Sequence, residues 1–467
     1  MSRRDLRRTA LTGSMLLILI ALFALTSITT GRGQVEEPAP AGRTDGGVRN
    51  VILLIADGCG FNHLQAANLY EHGDPEGPLY AAFPLRLAMA TFMADGGYDP
   101  ALAWAEFDYV RQGATDSAAA ATAMACGVKT YAGAIGVDRN GQPVTNVVER
   151  AERLGKATGV VTSVPLSHAT PAGFVAHTAS RSSYEAIAGQ MIHESALEVI
   201  MGAGHPEYDN NGRRKEGEPD YRYVGGEQTW AALCAGTAGG DADGDGVPDP
   251  WTLVESVEDF RALQEGDAPA RVIGVARVAD TLQQRRDADP DSEEDEKAAP
   301  FAVRLNEGVP TLAEMTRGAL NVLDGDPDGL FLMIEGGAVD WAAHANQSGR
   351  VIEEQVDFNR AVQAVVEWVE AGDGWGDTLV VVTADHETGY LTGPGSDPAW
   401  QPLVGGGAGV APQMEWHSAG HTNSLVPLFA RGGRASDFRA RILGHDPVRG
   451  PYLDNTTIAA VIIAALR

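Results

Sequence analysis

Carboxylate and imidazole side chains recur in this sequence at or just after the ends of apolar runs. Asp340 and His344 lie four residues apart, which would put both on one face of a helix. Zinc binds histidine nitrogens and carboxylate oxygens, whereas magnesium prefers oxygen ligands. These residue types together predict a site for divalent metal ions, although each motif alone also fits an ordinary hydrogen-bonded strand end. The candidate ligands are Asp57, His168, Thr170, Glu335, Asp340, His344, Asp385, His386, His417 and His421.

A single serine, Ser117, opens the small-residue part of the stretch GATDSAAAATAMACGVKT. Residues 118–125 predict a helix, and Thr115 and Asp116 are suitable capping residues before it. The exposed N–H groups at a helix start attract anions, so the serine would suit a nucleophile that faces an anionic substrate. The alternative is a buried, alanine-rich helix with a capping serine, and this stretch alone favours that alternative. In both cases the small side chains predict close packing against a sheet.

Five apolar runs predict buried parallel strands, which must position these residues. They alternate with helical patterns at 183–201 and 351–370, which indicates an α/β fold with a mostly parallel central sheet flanked by helices. In such a sheet the functional site lies at the carboxyl ends of the strands. Each run except the last delivers an acidic residue or a histidine at that end. The runs are at 50–58, 159–170, 329–337, 377–387 and 424–432.

Residues 205–310 interrupt this alternation and predict an acidic surface insertion with short elements at most. One of its loops has the aspartate spacing of a calcium-binding loop, but position twelve is Thr252 rather than glutamate. A solvated loop is therefore favoured over a Ca²⁺ site in the insertion, and an exported calcium-binding protein is the non-enzymatic alternative. The aspartates concerned are Asp241, Asp243, Asp245 and Asp249.

Acidic residues dominate the charge of the chain. The 467 residues include 63 Asp and Glu against 35 Lys and Arg, a net charge of −28. This balance argues against nucleic-acid binding by a basic face. It also means that a site for an anionic substrate needs strong local positive charge. Three cysteines are too few for a disulfide scaffold.

The N-terminus predicts a targeting segment. The basic stretch MSRRDLRR precedes the apolar core LLILIALFAL, so residues 1–31 are expected to be a signal peptide or an N-terminal membrane anchor. Residues 32–48 are rich in Gly, Pro and Ala and predict a linker, after which one domain, 49–467, carries the site. We therefore expect an exported protein that is periplasmic, secreted or membrane-anchored.

In several motifs the chain resembles the alkaline phosphatases. The motifs follow the family's order over roughly residues 50–430, with the acidic insertion between them. The resemblance implies metal-dependent hydrolysis of small phosphate monoesters through a phosphoserine intermediate, with release of inorganic phosphate. A homodimer is compatible with it. The matching stretches are IADG with Asp57, TDSAAAATA with Ser117, HATPAGFVAHTASR ending in Arg181, EGGAVDWAAH, TADHE and GHT.

The resemblance also implies a role for each matched residue. Ser117 would be the nucleophile, and Arg181 would bind two phosphate oxygens, which suits its planar guanidinium. The implied metals are two Zn²⁺ and one Mg²⁺ per chain. The implied ligand sets are Asp340, His344 and His421 for one zinc, Asp57, Asp385 and His386 for the other, and Asp57, Thr170 and Glu335 for magnesium.

Four further positions surround these sets. His168 and Trp341 stand where other members carry Asp or His and Lys or His, respectively. His168 would bind magnesium either directly or through water. Trp341 carries no charge where other members have Lys or His. Arg181 and the metals are therefore expected to supply the main positive charge near the phosphate. Asp116 and His417 are candidates for supporting positions, although a solvated loop is the favoured interpretation of His417.

Two related enzyme classes are alternatives. A sulfatase would require a Cys-x-Pro-x-Arg or Ser-x-Pro-x-Arg sequence, and the chain contains neither. A phosphodiesterase of this superfamily usually has a threonine nucleophile and lacks the full magnesium set. Ser117, Thr170 and Glu335 therefore favour monoesters.

Overall fold

The computed structural model describes residues 47–287, 297–372 and 374–467. The predicted leader at 1–31 and nearly all of the predicted linker at 32–48 lie outside the described residues. Part of the predicted insertion, 288–296, also lies outside them. None of the helices within the described ranges has both the length and the apolar character that a bilayer span requires.

A mixed sheet of eleven strands forms the centre of the fold. The strands in the described ranges are β1 (Asn50–Ala56), β2 (Leu85–Ala90), β3 (Ala157–Pro165), β4 (Val199–Ala203), β5 (Thr252–Val254), β6 (Val272–Val275), β7 (Leu330–Gly336), β8 (Thr378–Thr383), β9 (Glu387–Thr388), β10 (Leu391–Thr392), β11 (Glu415–Trp416), β12 (His421–Thr422), β13 (Val426–Gly432), β14 (Gly444–Asp446) and β15 (Gly450–Asp454). The order across the large sheet is β14-β15-β2-β13-β8-β1-β7-β3-β4-β6-β5. β9 pairs with β12 and β10 with β11 in two short antiparallel sheets.

Parallel pairing dominates this sheet, as the apolar runs predict. β8, β1, β7 and β3 are consecutive parallel neighbours and correspond to four of the predicted runs. The fifth run, 424–432, forms β13, which is antiparallel to both β8 and β2, so the prediction of a parallel strand is wrong there. A continuous apolar run indicates that both faces of a strand are buried, but it does not fix the direction of the strand.

Helices pack against the sheet. The longest, α12, contacts β7 and β1, and α10 contacts β3. The helices are α1 (Phe61–His72), α2 (Pro78–Ala81), α3 (Pro100–Ala105), α4 (Ser117–Cys126), α5 (Val147–Glu152), α6 (Ala169–Val175), α7 (Tyr184–His193), α8 (Gly226–Cys234), α9 (Val257–Ala262), α10 (Leu312–Leu323), α11 (Ala338–His344), α12 (Ser348–Ala371) and α13 (Thr456–Leu466).

The helix predicted over 183–201 is only half correct. α7 ends at His193, and Val199–Ala203 form strand β4 instead. β4 is buried throughout and pairs in parallel with β3 and β6. The apolar spacing continues through both segments, so periodicity alone does not reveal the break; pairing with two neighbouring strands decides it.

Helix α4, which begins at Ser117, is buried along its whole length. It packs closely against α6 and α13, and several of its buried residues belong to the same hydrophobic cluster as the central strands. The approach to α6 is close, because a Cβ at Gly173 would lie 2.7 Å from the Cβ of Ala121. The small side chains therefore allow helix-to-helix contact, which fixes the start of α4 in place.

The segment 205–310 has the short elements that the sequence predicts, but it is more than a surface insertion. β6 and β5 extend the central sheet beyond β4 in parallel register. Trp251 and Phe260 are buried within the segment. The prediction failed here because each strand has only three or four residues, too short for a recognisable apolar run.

Candidate active site

The four parallel neighbours β8, β1, β7 and β3 bring polar side chains to one edge of the sheet. Asp57 directly follows β1, Glu335 is the next-to-last residue of β7, and Asp385 lies two residues after β8. His168 caps α6 just after β3, and Thr170 is the second residue of that helix. Adjacent parallel strands end at the same edge, so these side chains converge, as the sequence predicts.

Asp340, His344 and His421 form the first cluster. The Nε2 atom of His344 lies 3.0 Å from His421 Nε2 and 3.4 Å from Asp340 Oδ2. His344 Nδ1 contacts the Ala419 carbonyl at 2.6 Å, and His421 Nδ1 contacts the Thr115 carbonyl at 2.8 Å. Because a carbonyl can only accept, both Nδ1 atoms carry the hydrogen and the two Nε2 lone pairs face each other. Such an arrangement suits a metal cation between the rings.

Asp57, Asp385 and His386 form the second cluster. His386 Nε2 lies 3.4 Å from Asp57 Oδ1 and 3.3 Å from Asp385 Oδ2. All three side chains are fully buried. The backbone N–H of Gly58 donates to Asp385 Oδ1 at 3.0 Å and orients that carboxylate. Gly58 has φ +72°, and a Cβ there would lie 2.7 Å from the Cα of Asp340, so glycine is required between the two clusters.

The third cluster shares Asp57 and adds Glu335 and His168, with the Thr170 side chain beside Glu335. Asp57, Glu335 and His168 each offer a ligand atom within 4.8 Å of the others. The Thr162 hydroxyl donates to Glu335 Oε2 and holds this carboxylate at the end of its strand. Most of the ligand atoms are oxygens, which is the preference of magnesium.

Ser117 lies between these clusters and a cation. Its Oγ is 3.3 Å from His386 Nε2. Arg181 donates from Nη1 to Asp116 Oδ2 at 3.0 Å, and its Nη2 lies 3.4 Å from His168 Nε2. Asp116 is the N-cap of α4, with Oδ1 accepting from the backbone N–H of Ala119. One aspartate therefore positions both the helix start that carries Ser117 and the guanidinium of Arg181.

A family model described as alkaline phosphatase matches residues 48–404 of the chain. The chain belongs to the alkaline phosphatase family. It is thus a metal-dependent hydrolase of phosphate monoesters, and the sulfatase and calcium-binding alternatives are set aside. Alkaline phosphatase 4 of Bacillus subtilis is 30% identical to it over 401 residues, which cover 82% of this chain and 72% of that protein. Alkaline phosphatase H of Pseudomonas aeruginosa is 34% identical over 364 residues, which cover 72% and 69% of the two chains.

Solved structures of alkaline phosphatases share the fold. A cold-active enzyme from Shewanella sp. superposes with a TM-score of 0.63 at 24% identity, covering 90% of this chain and 100% of that one. A variant of the enzyme from the Antarctic bacterium TAB5 superposes with a TM-score of 0.61 at 24% identity, covering 90% and 98% of the two chains. That variant is described with Mg bound in its M3 site.

The buried polar atoms of the three clusters suit bound metal ions. Both carboxylate oxygens of Asp57 are buried without a hydrogen-bond donor among the described residues, as are Asp385 Oδ2, Glu335 Oε1 and His168 Nδ1. Burial, followed by repulsion from Asp385, raises the pKa of Asp57 well above its usual value. Burial also raises the pKa of Glu335 to about 7 and lowers that of His168 to about 3. Cations at these clusters would offset the unfavourable burial of the carboxylates.

A cavity of about 780 Å³ opens onto Ser117, His168 and Arg181. Three more arginines line it, namely Arg285, Arg286 and Arg350, so Arg181 is not the only cationic side chain among the lining residues that the structure describes. Two of the three arginines belong to the segment 205–310, which the sequence predicts to be an acidic surface insertion. Their contribution could not be predicted because it depends on how an irregular segment folds back onto the sheet edge.

Sequence reasoning missed two hydroxyls that contact the clusters. The Thr388 hydroxyl donates to Asp340 Oδ1 at 2.5 Å and lies 3.3 Å from His386 Nδ1, so it connects the first two clusters. Thr162 binds Glu335 in the third. Thr388 stands two residues after His386 in the TADHE motif, and this proximity was the available signal; Thr162 lies within a strand, where threonine is common.

Two other predicted positions lie apart from the clusters. His417 Nε2 lies 2.7 Å from the Thr392 hydroxyl, and the ring packs edge-on against Phe107. Asp241, Asp243 and Asp245 come together on an exposed loop, where their carboxylates accept backbone N–H groups of the same loop. These hydrogen bonds fit the favoured interpretation of a solvated loop, and a Ca²⁺ site there stays the less favoured hypothesis.

Proposed function

We propose that Ser117 is the nucleophile of this phosphatase and that three metal ions, two Zn²⁺ and one Mg²⁺, occupy the three clusters. Zinc suits the first two clusters, which contain histidine nitrogens and carboxylate oxygens. Magnesium suits the third, because Asp57, Thr170 and Glu335 offer oxygens. His168 would be a direct ligand or bind through water.

The observation that carries this proposal is the 3.3 Å approach of Ser117 Oγ to His386 Nε2. It puts the hydroxyl beside the second cluster and at the wall of the same cavity that Arg181 lines. A serine hydroxyl is a weak nucleophile at its ordinary pKa. When bound, the metals would activate it and stabilise charge on the attacking and leaving oxygens.

The chain's own residues carry the remaining steps. Arg181 donates to two oxygens of the phosphoryl group and orients it, while Asp116 holds the guanidinium in place. Ser117 Oγ forms a bond to phosphorus as the bond to the alcohol oxygen breaks, and the serine proton ends on the alcohol. Water then attacks the phosphoserine, releases inorganic phosphate and returns a proton to Ser117.

Activity measurements on Ser117→Ala test the nucleophile. The substitution should lower kcat for a chromogenic phosphate monoester by several orders of magnitude, and labelled phosphate should be trapped on Ser117 of the unsubstituted enzyme at acidic pH. Ser256→Ala, at the N-cap of α9 and outside the cavity lining, serves as the matched control. Near-full activity of Ser117→Ala, with no phosphoserine, would refute the assignment.

Elemental analysis of the purified protein tests the metals. Two zinc ions and one magnesium ion per chain are expected. Glu335→Gln should lower magnesium content and leave zinc content nearly unchanged, because Glu335 belongs to the third cluster alone. Loss of zinc from this variant, or an unsubstituted protein without magnesium, would contradict the proposed assignment of ligands to the three metal ions.

We also propose that the N-terminal segment exports the chain and either is cleaved or stays as a membrane anchor. Its basic and apolar composition supports export. The intact mass of the mature protein and its partition between soluble and membrane fractions distinguish the two fates.

We also propose that the chain forms a homodimer, and light scattering of the purified enzyme tests this. In its support, Leu443 and Val448 expose about half of their side chains beside the edge strand β14.

A further inference from the structure

The outer wall of the active-site cavity includes a loop of the segment 205–310. Arg285 and Asn210 both line the cavity that Ser117 opens into. The loop is fixed by hydrogen bonds: Asn210 Nδ2 donates to Asp280 Oδ2 at 3.0 Å, and the backbone N–H of Arg285 donates to Thr281 Oγ1 at 2.9 Å. Arg285 therefore extends from an ordered backbone.

The guanidinium of Arg285 is held over an aromatic ring. Its Cζ lies 4.6 Å from the centroid of Trp341, within the range of a cation–π contact. Trp341 follows Asp340 of the first cluster directly and packs against His168, with ring centroids 5.5 Å apart. Trp341 thus lies between the Arg285 guanidinium and His168, and it limits the directions in which the guanidinium can point.

The charge of Arg285 is more available than that of the neighbouring arginines. Arg286 and Arg350 are buried and both donate to Glu353, so one carboxylate and several carbonyls occupy their donors. Arg285 is half exposed, and Asp280 is its one carboxylate partner among the described residues. Its remaining N–H groups are available to a ligand in the cavity.

We infer that Arg285, stacked on Trp341, forms a subsite for a second anionic group on the leaving alcohol of the substrate. The preferred substrates are phosphate monoesters whose alcohol carries a carboxylate or a further phosphate. Such a subsite has particular value in a protein of net charge −28, which repels anions at long range. The inference rests on the function proposed above, with Ser117 as the nucleophile in this cavity, and adds a substrate class to it.

Two three-carbon esters separate charge from shape, because 3-phosphoglycerate carries a carboxylate where glycerol 3-phosphate carries a hydroxymethyl group. Arg285→Ala should lower the ratio of their kcat/KM values, carboxylate ester over neutral ester, by about three- to tenfold, the range between an exposed ion pair and a charge-assisted hydrogen bond. Arg285→Lys should restore part of the ratio, since it keeps the charge but loses the planar stacking.

Arg261→Ala provides the matched control. Arg261 lies in the same segment, is 54% exposed and pairs with Glu314, but it does not line the cavity. Its substitution should leave the ratio unchanged. Equal decreases of kcat/KM for both esters in Arg285→Ala would overturn the inference. They would show that Arg285 supports the cavity wall but does not bind the carboxylate. If the unsubstituted enzyme hydrolysed neither ester, the proposed activity itself would fail, which is a separate outcome.

Discussion

Asp116 binds the guanidinium of Arg181 at 3.0 Å through one carboxylate oxygen and caps the helix of Ser117 through the other. The proposed nucleophile and the guanidinium proposed to bind phosphate are therefore held by a single side chain. Arg181 also retains its charge: burial lowers its pKa, but the ion pair with Asp116 outweighs this and raises it above the usual value.

Asp116→Ala should reduce both stability and phosphate affinity. Loss of an N-cap costs about 1 kcal/mol in free energy of unfolding, and loss of the ion pair frees Arg181 from its position. Thr311→Ala removes the N-cap of α10 and is the matched control. Both variants should lower the free energy of unfolding in urea, Asp116→Ala by more because it also loses the ion pair, but only Asp116→Ala should raise the inhibition constant of inorganic phosphate. Equal inhibition constants would mean that Asp116 does not position Arg181.

Arg181→Ala should weaken inhibition by inorganic phosphate by about one to two orders of magnitude, since charge-assisted hydrogen bonds contribute roughly 1.5–3 kcal/mol each and ~1.4 kcal/mol is tenfold. The metal content should not change, because Arg181 is outside the proposed ligand sets. Inhibition constants at fixed zinc and magnesium check this. An unchanged constant would show that the metals and other cavity arginines hold the anion without it.

Thr388→Val should lower zinc affinity by about 10- to 100-fold, the usual cost of removing a hydrogen bond that orients metal ligands. The hydroxyl contacts Asp340 and His386, which belong to different clusters. Thr392→Val is the control, because Thr392 is also buried but pairs with His417. Titration with a competing chelator measures both variants; similar zinc affinities would show that Thr388 is merely a packed side chain.

Glu152 should make stability fall with rising pH. Burial, followed by repulsion from Glu198, raises the pKa of Glu152 from 4.5 to about 7. The folded state therefore binds this proton more tightly, and its contribution is present below pH 4.5 and lost as the pH rises through about 7. Glu152→Gln should remove this part of the pH dependence, on the order of 1 kcal/mol after solvent screening.

Urea unfolding of Glu152→Gln and of the unsubstituted protein at pH 5 and pH 8 provides the measurement. Differences between the two proteins at each pH cancel the titration of the metal ligands. Glu258→Gln, at an exposed position of α9, should leave the profile unchanged. Parallel profiles for Glu152→Gln and the unsubstituted protein would refute the prediction.

The sequence predicted the site best where the position of a residue depends on one strand alone. Asp57, Glu335 and Asp385 follow apolar runs, and the geometry of parallel strands brings them together. Arg285 shows the opposite case: its contact with Trp341 joins residues that are distant in sequence and depends on the path of an irregular segment. The sequence did not predict the direction of the strand at 424–432 or the existence of β4. Hydrophobic periodicity indicates which residues are buried, whereas hydrogen bonding to neighbouring strands determines strand direction and element type.

The two strands that the segment 205–310 adds to the sheet limit how this region can change. β4 is fully buried and lies between β3 and β6, so removing 236–300 would leave its outer side without a hydrogen-bonding partner. An apolar strand left in that state becomes a template for intermolecular pairing and aggregation. We therefore expect engineering or evolutionary shortening to be tolerated in the exposed loop of Asp241–Asp245, but not across β5 and β6, whatever happens to metal binding.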